Sequence, residues 1–122
     1  MNKKTIIAGA TPNVMRYAYK AAELMNKHSV PFVPVGIKKG EVFGHEILNL
    51  QEKPFIPDVD TITLYIGTNN QEEWYDYWLS LNPKRIIFNP GTENFVFEKM
   101  VREKGIEVLH ACTLVLLTIG EF

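Results

Sequence analysis

A doubly wound parallel sheet in a three-layer α/β/α, single-domain arrangement is the fold that the sequence predicts, and three observations carry it. Short runs of β-branched and apolar residues alternate with stretches of helical period. Parallel strands need crossovers, and crossovers of this kind are right-handed and helical. Turns containing glycine or proline close the apolar runs, and 122 residues suffice for one buried core without disulfides or metal.

The first strand is Thr5-Ile6-Ile7-Ala8, left through Gly9-Ala10-Thr11-Pro12-Asn13. Gly9 permits a tight exit and close approach of a ligand to the backbone. Asn13 is an N-cap candidate, so the helix is expected to begin at Pro12 or Asn13, with the amides of Ala10 to Val14 facing an open cleft as an anion site. Arg16 and the Thr11 hydroxyl add donors for a phosphate. The plainer reading is an ordinary strand-to-helix turn. Val14, Tyr17, Ala18, Ala21, Leu24 and Met25 recur at helical steps up to His28.

Pro31 to Ile37 reads as a second, buried strand closed by Lys38-Lys39-Gly40, and Glu41 to Asp60 as an irregular connection in which only Glu46 to Asn49 forms a short outer strand. Thr61 to Ile66 is the third strand, followed by Gly67-Thr68-Asn69-Asn70 and a helix from Gln71 to Leu81. Arg85 to Phe88 is a strand cut off by Asn89-Pro90-Gly91-Thr92, then a helix runs from Glu93 to Lys104 with Gly105 after its end. Ile106 to Leu109 is the last strand. Thr113 to Ile119 is apolar throughout and fits either a strand or a helix. The loops after Ala8, Ile37, Ile66 and Phe88 are expected to share the carboxyl edge of the sheet, where ligands of such folds lie.

Composition narrows the function. Thirteen basic against 14 acidic residues, with no basic arm, argue against nucleic acid as a partner. No apolar segment is long enough for a signal peptide or membrane span. A lone cysteine, Cys112, fits a reducing compartment, so a cytoplasmic location is expected. No Cys/His cluster has metal-ligand spacing. His28, His45 and His110 lack a supporting glycine-rich motif, and His110 with Cys112 lacks a visible orienting acid, so no catalytic residue is assigned. Trp74, Tyr75, Tyr77 and Trp78 suit core packing or a subunit interface.

The first loop is not a dinucleotide fingerprint, because Ala10-Thr11-Pro12-Asn13 replaces the expected glycine spacing. Where an acidic residue would hold a ribose diol stand Lys38 and Lys39, which suit a phosphorylated ribose or are simply solvated. Coenzyme A and NADP are the nucleotides of that kind.

Gly9 to Asn13 with Arg16-Tyr17, then Glu41-Val42-Phe43-Gly44, then Asn89-Pro90-Gly91 before a helix, together resemble the small stand-alone CoA-binding domain family, from about Lys3 to Cys112. That family is similar to the nucleotide-binding domain of the succinyl-CoA synthetase α subunit. The resemblance implies a Rossmann-like fold that binds CoA, with the pyrophosphate at the first glycine loop and the adenosine near the second-strand turn. The residues implied are Gly9, Ala10, Thr11, Pro12, Asn13, Arg16, Tyr17, Gly36, Lys38, Lys39, Gly67, Asn89, Pro90 and Gly91. Two positions depart from the family pattern: Gly36-Ile37 stands where Asn-Pro is common, a flexible residue for a preset turn, and Asn89 replaces Gln. A small CoA or acyl-CoA binding module follows, acting as a sensor or accessory, with a homodimer or a CoA-using enzyme as partner. The alternatives are an NADP-dependent oxidoreductase, which would need a substrate segment that 122 residues do not accommodate, and an interaction subunit with a decayed site.

Overall fold

The computed structural model describes residues 3–122. Eight strands and four helices follow in order: β1 (Thr5–Ala8), α1 (Tyr17–Lys27), β2 (Phe32–Gly36), β3 (Glu41–Val42), β4 (His45–Glu46), β5 (Leu48–Asn49), β6 (Thr61–Leu64), α2 (Tyr75–Ser80), β7 (Arg85–Phe88), α3 (Phe95–Glu103), β8 (Glu107–His110) and α4 (Thr113–Thr118). Six strands form one parallel sheet in the order β5-β2-β1-β6-β7-β8, and β3 and β4 make a separate antiparallel pair. In β1, β6 and β7 all four residues are buried, which is why these strands read as continuous β-branched runs rather than alternating ones.

Helices cover both faces. On one, Ala18, Ala22 and Met25 of α1 and Leu117 of α4 close over Ile7 and Phe32. On the other, Tyr77, Trp78 and Leu79 of α2 and Phe97 and Val101 of α3 pack on Ile6, Ile62, Leu64, Ile86 and Phe88. Two aromatic contacts order this second face: Tyr75 stacks on Phe97 at 4.5 Å between ring centroids, and Phe88 meets Phe97 edge-on at 5.8 Å. The chain steps from β1 to β2 on one side and returns to β6 on the other, so the loops after β1 and β6 diverge over opposite faces. Such a reversal opens a crevice at the carboxyl edge.

Several expected boundaries move. Helix α1 begins at Tyr17, not at Pro12 or Asn13. The Asn13 side chain accepts from the Met15 amide at 3.0 Å and the Asn13 carbonyl from the Arg16 amide at 3.1 Å, so the asparagine closes a turn of its own before the helix. The segment expected as a helix from Gln71 opens with two 3-10 turns, Thr68–Asn70 and Glu72–Trp74, because the buried Gln71 side chain bonds Ile66 and Thr92 instead of facing solvent. The single outer strand expected over Glu46 to Asn49 is divided between β4 and β5. The apolar tail is a helix, α4, with Leu117 buried against α1.

Candidate functional site

A cleft of about 970 Å³ opens at the carboxyl edge, between the β1 loop and the loops after β2, β6 and β7. Its floor is set by tight backbone. The amides of Gly9 and Ala10 both donate to the carbonyl of Val35, at 2.8 and 3.0 Å, so the β1 loop is tied to β2 and the Ala10 amide is not available to a ligand. Gly9 has φ +94°, and a Cβ there would stand 3.0 Å from the Tyr65 carbonyl oxygen. The Asn13 amide is taken by the Thr11 hydroxyl at 3.1 Å. Among the described residues nothing accepts from the amides of Thr11, Tyr17 or Ala18, all three of which line the cleft. Of the run expected from Ala10 to Val14, only Thr11 therefore offers an unpartnered amide at the cleft, joined by two in the first turn of α1; the Val14 amide is also unpartnered, but Val14 does not line the cleft. Arg16 and Tyr17 stand exposed beside them.

The β2 turn forms one wall. Gly36 is buried at the end of β2, and a Cβ on it would lie 2.6 Å from the Ala10 carbonyl oxygen. Glycine here is a packing requirement and not a loose substitute for a preset turn. Ile37, Lys38 and Gln51 continue the wall. Lys39 and Pro12 do not line the cleft; the Pro12 ring lies against the turn at Gly40, where an added Cβ would meet it at 3.2 Å.

Tyr65, Ile66, Gly67, Asn70, Glu73 and Trp74 form the wall after β6, with Pro90, Gly91 and Thr92 after β7. Gly67 and Gly91 face open space. Asn89 does not line the cleft. It is buried, its Nδ2 donates to Thr63 Oγ1 at 2.8 Å and to the Leu64 carbonyl at 2.9 Å, and its Oδ1 accepts from the Thr113 amide at 2.8 Å. All these bonds brace β6, β7 and the start of α4 beneath the site. Gln71 and Asn94 brace the rim in the same way, through a 2.9 Å bond between their side chains.

Tyr65, Gln51, Asn70, Glu73 and Trp74 carried no sequence motif for this cleft. Their signal was positional: each follows a strand at the carboxyl edge or belongs to the turn after it. The Tyr65 hydroxyl is buried with no hydrogen-bond partner among the described residues, and burial, reinforced by nearby Cys112, holds its phenol well above the ordinary tyrosine range.

His110 does have an acid beside it. Its Nε2 stands 2.7 Å from Glu98 Oε1, a contact between residues twelve apart on β8 and α3. Glu98 is buried and its other oxygen accepts from the Asn94 amide at 2.9 Å, at the start of α3. Neither His110 nor Cys112 lines the cleft.

A family model described as "CoA binding domain" matches residues 3–118. The chain belongs to the CoA binding domain family. An uncharacterized protein known from its crystal structure is 56% identical, with a TM-score of 0.96 over 100% of this chain and 99% of that one. A Thermus thermophilus protein shares the fold at 22% identity, with a TM-score of 0.85 over 99% of this chain and 91% of its own. A hypothetical protein from Pyrococcus horikoshii does so at 24% identity, with a TM-score of 0.81 over 93% and 80%. No curated protein matches. The cleft fits what a CoA binding domain requires: donors for a diphosphate, backbone that a ligand can approach closely, and a volume within the range of small-molecule sites. No helix among the described residues is long and apolar enough to cross a membrane.

Proposed function

We propose that this CoA binding domain holds CoA or a CoA thioester across the carboxyl edge of its sheet and acts as a non-catalytic sensor or accessory module of the cytoplasm. The diphosphate lies on the amides of Thr11, Tyr17 and Ala18 with Arg16 beside it, the adenosine extends toward Gly36, Ile37 and Lys38, and the pantetheine chain runs toward Gly67, Pro90 and Gly91. The observation that carries this reading is the set of three unpartnered amides at the cleft, where the helix dipole adds partial positive charge.

Support for a binding rather than a catalytic role comes from the position of the titratable groups. The His110 and Glu98 pair lies outside the cleft, and Glu98 is already engaged at the start of α3.

Amide resonances followed during addition of CoA test the binding mode. Large shifts at Thr11, Tyr17 and Ala18, with small ones at Gly9 and Ala10 relative to them, agree with it. Shifts confined to the amino end of the sheet, around Ser29 and His45, overturn it.

A further inference from the structure

The charged side chains of the cleft are sorted by side. Arg16, from the loop after β1, and Lys38, from the turn after β2, are its cations, whereas Glu73, from the segment after β6, is its carboxylate. A second carboxylate does not line the cleft but is held beside it: Glu93 Oε1 accepts from the amide of Gly91, which does line it, at 2.8 Å. The Glu93 carbonyl accepts from Thr68 Oγ1 at 2.7 Å, which ties the β6 and β7 loops together. No lysine or arginine among the described residues lines the β6 and β7 half. A ligand with several negative charges at one end and none at the other matches this distribution; one with anions at both ends does not.

Resting on the reading that the cleft holds CoA, we propose that its thiol end accepts the free thiol or a neutral acyl group and discriminates against dicarboxylic acyl thioesters, with Glu93 and Glu73 setting the difference. With the diphosphate on the β1 loop and the phosphorylated adenosine at Lys38, the pantetheine chain has only the β6 and β7 side left to it. A terminal acyl carboxylate there meets like charge from Glu73 in the wall and from Glu93 beside Gly91, and such repulsion reaches about one Debye length, about 8 Å at physiological ionic strength. Both glutamates are exposed, so the discrimination is modest, about three- to tenfold, and it is reduced by salt.

Calorimetric titrations of CoA, acetyl-CoA and succinyl-CoA into the wild-type protein, Glu73→Gln and the double variant Glu73→Gln, Glu93→Gln test the assignment, with thermal unfolding to verify each fold. Expected is a weaker succinyl-CoA than acetyl-CoA in the wild type, a gap that narrows in the single variant, closes in the double one and shrinks in high salt. The exposed single variant serves alone if the double one does not fold. Equal affinities for the two thioesters in the wild type, or a gap that survives both substitutions, overturn the assignment while leaving CoA binding intact. Absence of binding by free CoA as well overturns the CoA reading and this assignment together.

Discussion

The Gly36 Cα carries its hydrogens so close to Ala10 that a Cβ in their place would stand 2.6 Å from the Ala10 carbonyl oxygen and 3.1 Å from its nitrogen. The atoms it would meet are backbone, already fixed by the bonds from Gly9 and Ala10 to Val35, and they cannot turn aside as a side chain does. Gly36→Ala is therefore expected to destabilise the protein by about 1–3 kcal/mol, the range for overpacking a closed site. It should also weaken CoA binding by displacing the β1 loop. Urea unfolding and CoA titration of the same variant check both effects; unchanged stability would mean that β2 and the loop separate without cost.

Arg16 is exposed and forms no ion pair among the described residues, so its removal should leave the fold alone. Arg16→Ala is expected to weaken CoA binding by about 1–3 kcal/mol, the range for a lost charge-assisted hydrogen bond, with an unchanged unfolding midpoint. Equal affinity of variant and wild type in a direct titration would make Arg16 an ordinary solvated helix cap.

Lys38 lines the cleft and Lys39 does not, which divides a pair that the sequence presents as equivalent. Dephospho-CoA should bind more weakly than CoA at low salt, and Lys38→Glu should narrow that difference far more than Lys39→Glu. Added salt should narrow it in the wild type as well, because exposed charges are screened. Identical titration curves for the two ligands would remove Lys38 from the site.

Tyr77 donates its hydroxyl to the Pro54 carbonyl at 2.6 Å, and burial pushes its phenol up from 10.0 to about 12. A raised value means that the folded state keeps a proton the unfolded chain releases. The stabilisation is therefore complete below pH 10, and it is lost as the pH rises from about 10 to about 12. Tyr65, displaced in the same direction, adds to this alkaline loss. Stability measured against pH for the wild type and Tyr77→Phe should show the steeper decline in the wild type; parallel curves would contradict the role of Tyr77.

That the chain forms a parallel sheet was legible because β1, β6 and β7 are buried on both faces and read as continuous apolar runs between helical stretches. Arg85 to Phe88 is a strand with the same ends in sequence and structure. What stayed hidden depends on side chains that bond across distance. Asn13 looks like a helix cap, yet it closes its own turn; Asn89 looks like a ligand contact in a Pro-Gly loop, yet its side chain bonds inward to Thr63, Leu64 and Thr113. The start of α2 was displaced by Gln71, whose partners Ile66, Thr92 and Asn94 lie on either side of it in the chain. The helix at Thr113–Thr118 could not be told from a strand because Leu114 to Leu117 is an unbroken apolar run with no period. Of the residues that line the cleft, the glycine loop, Arg16 and Lys38 were expected from the residues and Tyr17 from the family resemblance, whereas Tyr65, Glu73 and Trp74 reach the cleft only through the reversal of strand order.

Calorimetric titration of one protein preparation with CoA, NADP and ATP side by side tests the central claim most directly. The arrangement of free amides, Arg16 and Lys38 predicts saturable one-to-one binding that is tightest for CoA, because the pantetheine chain fills the β6 and β7 side that ATP leaves empty and NADP fills with a different group. Saturation by NADP at lower concentration than by CoA, or the absence of a saturable signal with CoA, would contradict it.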